Sequence, residues 1–134
     1  MNVTATAKDV GISPRKAGLV AALVRGRNVA DALIILEHTP KKAALILTKV
    51  IQSASANATN NYGLKEDGLT LSELSVGPGT ALKRFRPVAF GRAHPYRRRT
   101  SNIRVVVAGP DPAPVKTAAK PAKAKATAAK AGKS

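Results

Sequence analysis

The sequence predicts an α+β fold in which a three-stranded antiparallel sheet packs on three helices. Segments between residues 13 and 63 carry apolar residues at helical spacing, and segments with alternating apolar and polar residues lie on either side of them. A third observation extends this fold: a long arginine-rich stretch, about residues 77–102, separates the last two strands. Because structureless loops of that length are rare in compact domains, both strands are predicted to continue outward as a long basic β-hairpin arm.

The first two elements are a strand and a helix. Between residues 3 and 8, valine and alanine alternate with threonine and lysine, which predicts a half-buried strand. Ser13 and Pro14 then form an N-cap and first-position pair, and Gly26 marks the end of a helix. The predicted apolar face of this helix consists of Leu19, Val20, Leu23 and Val24.

Two further helices follow. Asn28, with Asp31 three residues later, begins a short helix. Thr39 and Pro40 begin the longest helix, which is predicted to end near residues 61–63. Apolar residues recur along one side of this helix at steps of three and four: Ala44, Leu47, Ile51, Ala54 and Ala58.

The second strand, the arm and the third strand complete the domain. In LTLSELSV the apolar residues change parity between Leu71 and Leu74, which predicts a β-bulge. Residues 77–79, Gly-Pro-Gly, are interpreted as a turn and not as a phosphate-binding loop. A turn around residues 87–91 would place the tip of the arm roughly 30 Å beyond the sheet, at about 3.3 Å per residue. The third strand returns through residues 103–107.

Residues 1–112 are predicted to form a single domain that includes the arm, followed by a disordered tail at residues 113–134. The tail consists almost entirely of alanine, lysine and proline. This composition cannot bury enough apolar surface to offset the entropy of ordering the chain.

The charge of the chain is strongly positive and unevenly distributed. The formal charge is +16, from 23 Lys and Arg against 7 Asp and Glu, and the pI is about 11.1. Such a balance indicates a polyanionic partner. Residues 74–112 carry eight cations and one acid, Asp111. The arm is rich in arginine, which binds phosphate bidentately, whereas the cations of the tail are all lysines.

The arm carries charge on both faces of its strands. Arg97, Arg98 and Arg99 are consecutive, and successive side chains of a strand point to opposite faces. An isolated hairpin is marginal in water, and this one has no uncharged face to bury against protein. The pattern favours insertion into a folded nucleic acid. Two interpretations of Phe85 and Tyr96 remain open: stacking on bases, or a cross-strand pair that steadies the arm.

Several functional classes are disfavoured by the residues that the chain lacks. Without cysteine there are no disulfides and no thiolate metal sites. The chain has two histidines, His38 and His94, and no carboxylate pair or phosphate loop at useful spacing, so no catalytic residue, metal site or cofactor is expected. No stretch reaches the roughly 20 apolar residues of a membrane span, and the N-terminus lacks a signal-peptide pattern, so a cytoplasmic protein is expected.

Four runs of residues carry a resemblance to a known family. They are SPRKAGLVAALVRG, KKAALILTKVIQSASANA, KRFRPVAFGRA and RRTSNIRVVV. Together they closely resemble the bacterial large ribosomal subunit protein 22 family over about residues 3–108. The resemblance implies a structural, non-enzymatic constituent of the large ribosomal subunit that is cytoplasmic and ribosome-bound. It also implies binding to 23S-type rRNA and support of subunit assembly.

In that family the body lies near the exit of the peptide tunnel, and the hairpin threads through the rRNA so that its tip lines the tunnel. The implied partners are large-subunit rRNA, neighbouring ribosomal proteins near the tunnel exit and the nascent peptide, with no membrane and no homo-oligomer. The implied rRNA-binding residues are Arg15, Lys16, Arg25, Arg27, Lys83, Arg84, Arg86, Arg92, Arg97, Arg98, Arg99, Thr100 and Ser101. The implied tunnel-lining tip consists of Val88, Ala89, Phe90, Gly91 and Arg92.

Two features depart from the family pattern. Family tips usually carry cations where this chain has Val88 and Phe90, which argues against a strongly basic tunnel lining. The family's Arg-Thr-Ser-His reads Arg-Thr-Ser-Asn here, so Asn102 is expected to exchange one polar contact for another.

An alternative function is that of an architectural DNA-binding protein. Basic β-arms with a proline near the tip also occur among proteins that bend DNA through the minor groove. Such a protein would be a dimer, because paired arms clamp a duplex, whereas the sequence of the body shows no obvious apolar dimer face. A monomer is therefore expected.

Overall fold

The computed structural model describes residues 1–109, apart from the side chain of Asp67, and within them it contains three α-helices and a three-stranded antiparallel sheet. The predicted α+β fold is therefore confirmed. The predicted tail at residues 113–134 and the end of the predicted domain lie outside the described residues. The elements are β1 (Asn2–Val10), α1 (Pro14–Val24), α2 (Val29–Glu37), α3 (Lys42–Tyr62), β2 (Thr70–Pro87) and β3 (Ala93–Ala108), with 3₁₀ turns at Glu66–Gly68 and Ala89–Gly91.

β3 lies at the centre of the sheet, between β1 and β2, and runs antiparallel to both. Val107 pairs with Val3 on one side and with Leu71 on the other, so three buried side chains form a row across the sheet. The register of β2 shifts between Leu71 and Glu73, which confirms the predicted bulge. Because of this shift, Leu71 and Leu74 both point into the core and are each 1 % exposed.

The helices and the sheet enclose a hydrophobic core between them. α3 packs against β1 and β3, α1 packs against β2, and α2 packs against α3. The alanines in the second half of α3 are short enough to let neighbouring backbone approach closely. Every residue of the predicted inner stripe of α3 is buried: Ala44, Leu47, Ile51, Ala54 and Ala58.

The first two helices begin where the sequence predicts. Ser13 precedes α1, which starts at Pro14, and Asn28 precedes α2. Neither the Ser13 nor the Asn28 side chain makes a capping hydrogen bond to its helix. The fixed φ of Pro14 therefore favours the start of α1 without a side-chain cap.

α1 buries a different side from the one that its sequence predicts. Leu19 and Leu23, which are predicted to face the core, are 74 % and 51 % exposed. The buried residues of this helix are Ala17, Val20, Ala21 and Val24. The prediction is wrong for both leucines because α1 packs against the sheet through its short residues, which allow a closer approach than leucine does.

The start of the longest helix also differs from the prediction. α3 begins at Lys42, whereas Thr39 and Pro40 belong to the connection that leaves α2. The Thr39 hydroxyl donates a hydrogen bond of 2.7 Å to the carbonyl of Ile35, which pairs one of the free carbonyls at the end of α2. The predicted end of α3 is confirmed, since Gly63 follows it with a left-handed φ of 63°.

The connection between α1 and α2 pairs with the start of β2. The Gly26 N–H donates to the carbonyl of Leu71 at 3.1 Å, and the Leu71 N–H donates to the carbonyl of Arg27 at 2.9 Å. Gly26 has a φ of 75°, which glycine adopts without a steric penalty, so it turns the chain from α1 toward the sheet. This pairing fixes the helical layer to the edge strand that continues into the arm.

Replacing Leu47 by alanine tests the location of the core. Leu47 is 0 % exposed, and we expect Leu47→Ala to lower the free energy of unfolding by about 2–5 kcal/mol, through reduced burial and the cavity left behind. Leu45 lies on the same helix and is 70 % exposed, so Leu45→Ala is the matched control, with an expected change within about 0.5 kcal/mol. Urea unfolding followed by circular dichroism measures both, and equal losses would contradict the assigned core.

Candidate nucleic-acid interface

The arm is a two-stranded extension of β2 and β3 beyond the helices. Pairing continues from Pro78 opposite Ser101 to Pro87 opposite Ala93. At the usual rise of a strand, this run of pairs corresponds to about 30 Å. Residues 81–99 are all exposed, so the arm has no core of its own.

The register divides the side chains of the arm between two faces. One, called the even face, carries Leu82, Arg84, Arg86, His94, Tyr96 and Arg98. The other, called the odd face, carries Ala81, Lys83, Phe85, Pro87, Ala93, Pro95, Arg97 and Arg99. Each face therefore presents three Lys or Arg side chains, and the prediction that both faces are charged is confirmed.

No carboxylate within the arm neutralises these cations. The sequence has no Asp or Glu between Glu73 and Asp111. Lys83 lies directly opposite Arg97, and like charges at such a cross-strand position repel each other. An anion that approaches the arm is therefore attracted by all of its cations together.

The two aromatic residues on the paired strands of the arm, Phe85 and Tyr96, lie on different faces. Phe85 is paired with Pro95 on the odd face, whereas Tyr96 is paired with Arg84 on the even face. The interpretation of Phe85 and Tyr96 as a cross-strand pair is therefore wrong. The Arg86 Cζ lies 5.1 Å from the centroid of the Tyr96 ring, a cation–π contact, whereas Phe85 is 73 % exposed. Stacking of Phe85 on a base stays a prediction.

The tip of the arm is the 3₁₀ turn Ala89–Gly91, which a hydrogen bond of 2.9 Å from the Val88 N–H to the Arg92 carbonyl closes. The predicted turn is confirmed, displaced by one residue. Phe90 is 94 % exposed and has a φ of 60°, a left-handed value that is uncommon for an aromatic residue. The tip thus holds a large apolar side chain outward, with Arg92 as the charged residue beside it.

Asp9 joins the three strands at the root of the arm, and nothing in the local sequence pattern predicts it. The Asp9 Oδ1 accepts a hydrogen bond of 2.9 Å from the Thr80 N–H, and the Asp9 N–H donates one of 2.9 Å to Asn102 Oδ1. The Thr100 hydroxyl lies 3.2 Å from Asp9 Oδ1 and 2.7 Å from the Thr80 carbonyl, so these two acceptors share its proton. Asp9, Thr80, Thr100 and Asn102 are together called the Asp9 bracket.

The turn predicted at residues 77–79 is wrong, because these residues lie inside β2. Instead of turning, the strand shifts register between Pro78 and Ala81. A Cβ at Gly79 would lie 2.5 Å from Thr100 Oγ1 and 2.9 Å from Asp9 Oδ1, both too close for ordinary packing. Glycine is therefore required beside the Asp9 bracket.

Hydrogen bonds lower the pKa of the Asp9 carboxyl below its usual value. The Thr80 backbone N–H is the largest cause, followed by the side chains of Thr80 and Thr100, while desolvation opposes them and Lys8 adds a smaller attraction. Because the charged form is favoured in the folded protein, this stabilisation is present above the unfolded pKa. It is lost as the pH falls through the lower folded pKa.

The arginines predicted for the body lie at the two ends of α1. Arg15 lines a cleft of about 530 Å³ between the start of α1 and the root of the arm, and Arg99 of the odd face lines the same cleft. Arg25 and Arg27 lie at the other end of α1. There the Arg25 Nη2 donates to the Leu74 carbonyl at 2.9 Å, so this guanidinium also ties α1 to β2.

Thr100 and Ser101 are the least accessible of the predicted rRNA-binding residues. Thr100 is 8 % exposed, and its hydroxyl is engaged in the Asp9 bracket. Ser101 is 0 % exposed, and its Oγ has no hydrogen-bond partner among residues 1–109. Their exposure does not support direct contact with rRNA. Lys16, by contrast, is exposed beside a more apolar cleft that Leu19 and Lys41 also line.

Other kinds of site are not found in the described part of the chain. Within residues 1–109 no group of His, Cys, Asp and Glu could hold a metal ion, and no helix there is long and apolar enough to cross a membrane. His38 caps the end of α2 through its backbone N–H, and His94 lies exposed opposite Arg86. Anion binding by the arm is the chemistry that these residues support best.

Comparison with known proteins assigns the body and the arm to the same family. Residues 5–108 match the family described as Ribosomal protein L22p/L17e. A curated relative, large ribosomal subunit protein uL22 of Clostridioides difficile (strain 630), is 50 % identical over 107 residues, which cover 80 % of this chain and 96 % of the relative. The resemblance inferred from the four sequence runs is confirmed.

Limited digestion with trypsin tests how accessible the arm is. Residues 81–99 lack buried contacts, and such segments open easily, so we expect trypsin to cut the free protein between Lys83 and Arg99 before it cuts the helices. Lys49 is the internal control, because it is exposed but belongs to α3, whose inner side is buried. Mass spectrometry of the early fragments locates the cuts, and equal rates at Lys49 and in the arm would contradict the expectation.

Proposed function

The chain belongs to the ribosomal protein L22p/L17e family, and from this premise we propose that its arm inserts between segments of folded rRNA in the large ribosomal subunit. Family membership makes the protein a structural, non-enzymatic component of that subunit, cytoplasmic and ribosome-bound. In the proposed role, the arm binds the rRNA and supports assembly of the subunit, while the tip lines the tunnel through which the nascent peptide leaves.

The presence of three cations on each face of the arm carries this proposal. A hairpin that lies on the surface of an RNA needs charge on one face only. Cations on both faces are matched best when phosphates surround the arm, because each neutralised phosphate releases a counterion and adds to the affinity. Contacts of this kind fix position and orientation without reading sequence.

The body contributes further contacts in this proposal. The cleft between Arg15 and Arg99 brings one cation from α1 beside one from the arm, so a single RNA strand could contact both. Lys16, exposed beside the second cleft, and Arg25 and Arg27 at the far end of α1 add further positive charge in this proposal. Neighbouring ribosomal proteins near the tunnel exit are the other partners proposed for the body.

The tip has a different role from the rest of the arm. Val88 and Phe90 are exposed and apolar, so they add little to phosphate binding. In the tunnel they would set the width and polarity of the wall that a nascent peptide meets, and Arg92 would supply the nearby charge.

The alternative function as an architectural DNA-binding protein is not supported. The matched residues of the family include the entire arm as well as most of the body. The feature that suggested DNA bending, a basic arm with a proline near its tip, is therefore accounted for within a ribosomal family.

Removing three arginines tests whether the ordered arm holds the rRNA. Arg97, Arg98 and Arg99 together serve both faces, so replacing all three by alanine should weaken binding to large-subunit rRNA. The slope of log K against log salt should fall by roughly one unit for each phosphate that the arm no longer neutralises. Filter binding at several potassium chloride concentrations measures both quantities.

Two controls test whether the loss of binding is specific to the arm or follows from the loss of any positive charge. Replacing the exposed lysines Lys41, Lys42 and Lys49 by alanine removes the same charge from the body. Deleting residues 113–134 removes six lysines. Both changes should weaken binding less than the triple arginine replacement, because they leave the register of the arm on the RNA intact. A larger loss from either control would contradict the proposed role of the arm.

Shortening the tip separates anchoring from tunnel function. Deleting residues 88–90 removes side chains that do not bind phosphate in the proposal, so assembly into the large subunit should persist. Peptide-induced stalling or macrolide sensitivity should change, because the wall of the tunnel has changed. Sucrose gradients measure assembly and translation assays measure the readouts. Assembly reduced to the same extent as with the triple arginine replacement, with unaltered readouts, would show that the tip is an anchor.

A further inference from the structure

We propose that the Asp9 bracket sets the direction of the arm before RNA binds, and that Asp9 is therefore a positioning residue for rRNA recognition. The geometric part of this inference concerns the free protein. Its consequence for affinity rests on the proposed function. The bracket lies where the arm separates from the sheet, and it contains one residue from β1, one from β2 and two from β3.

The bracket occupies the level at which the arm loses support from the sheet. β1 pairs with β3 as far as Val10 opposite Ser101, and beyond that point β2 and β3 pair only with each other. The register of β1 shifts between Ala7 and Val10, and that of β2 shifts between Pro78 and Ala81. A bulge bends the strand that contains it. Two bulges at the same level therefore make this point determine the direction in which the arm extends.

The hydrogen bonds of the bracket tie each strand to the other two. The Asp9 carboxylate holds β2 through the Thr80 N–H and β3 through the Thr100 hydroxyl. Asn102 completes the connection, because its Oδ1 accepts from the Asp9 N–H and its Nδ2 donates to the Pro78 carbonyl at 3.4 Å. Rotation of the arm about its root would break several of these bonds at once.

Two backbone features show that the local structure accommodates this arrangement. Asp9 has a left-handed φ of 52°, a conformation that aspartate tolerates better than most residues other than glycine. Gly79 has no side chain, so it leaves room for Asp9 Oδ1 and Thr100 Oγ1, which a Cβ at this position would approach too closely. Both features allow the contact between Asp9 and Thr100 to form. This agreement indicates that the bracket is a specific structural feature and not an incidental hydrogen bond.

Distance measurements between two spin labels test the direction of the arm directly. The chain has no cysteine, so Gln52→Cys on α3 and Leu82→Cys on the arm give one label on each part. Pulsed electron paramagnetic resonance of the full-length free protein then reports the distribution of distances between body and arm. With the bracket intact we expect a narrow distribution.

Three substitutions and a control probe the bracket in this labelled protein. Asp9→Gly removes the carboxylate but permits the left-handed backbone, so the distribution should broaden. Asp9→Asn keeps an oxygen acceptor at the same place, so the distribution should stay narrow. Gly79→Ala places a Cβ against the bracket and should also broaden it. Asp31→Asn removes the same charge from an exposed position on α2 and should leave it unchanged.

The outcomes distinguish positioning from plain stability. If Asp9→Gly and Gly79→Ala lower the melting temperature without broadening the distribution, the bracket is only structural and the proposal is overturned. Broadening with Asp9→Asn as large as with Asp9→Gly would also overturn it, because charge and not the hydrogen-bonded geometry would then matter. Gly79→Ala keeps the test decisive if Asp9→Gly does not fold.

Binding to large-subunit rRNA tests the consequence. If the fraction of correctly directed arms falls to a tenth in Asp9→Gly, the apparent affinity should fall about tenfold, while Asp9→Asn binds as the unmodified protein does. Unchanged affinity despite a broadened distribution would overturn the role in recognition. Failure of the unmodified protein to bind this rRNA would contradict the proposed function and leave the distance result standing.

Discussion

Mutual repulsion among the cations of the arm is the constraint on which the rest of the structure depends. Neither face of the arm has a carboxylate or a buried apolar cluster to offset it. The two strands stay paired because they continue from a sheet whose inner face is covered by helices, since an isolated hairpin would be marginal in water. The long central strand β3 belongs to both parts, so the body supplies the order that the arm lacks.

The body keeps the strands ordered through helix packing on one face of the sheet and through hydrogen bonds at its edge strand. α3 covers β1 and β3 with a continuous buried stripe, and the connection after α1 pairs with β2 through Gly26 and Leu71. Asp9 then ties the strands together where the helices end. The outer parts of β2 and β3 thus supply the positive charge that is proposed to bind RNA. The inner parts of the same strands, which lie in the sheet of the body, supply the ordered structure.

Most features defined by neighbouring residues were predictable, although the turn predicted at residues 77–79 is wrong, and features defined by distant residues were not predictable. The stripe of α3 and the bulge at Leu71 follow from spacing along the chain, and the arm follows from the length and charge of residues 77–102. The exposed Leu19 shows the limit, because two sides of α1 are apolar and only packing against the sheet selects one. Asp9 contacts Asn102, which lies 93 residues away, so no local pattern could indicate the bracket.

Thiol reactivity on the two faces of the arm tests the central claim most directly. Leu82 lies on the even face and Phe85 on the odd face, so Leu82→Cys and Phe85→Cys place one thiol on each in a chain without other cysteines. Both thiols should react readily in the free protein and become unreactive in the assembled large subunit, because RNA surrounds the arm. A thiol that stays reactive on one face after assembly would show that the arm lies on the RNA surface, which contradicts insertion.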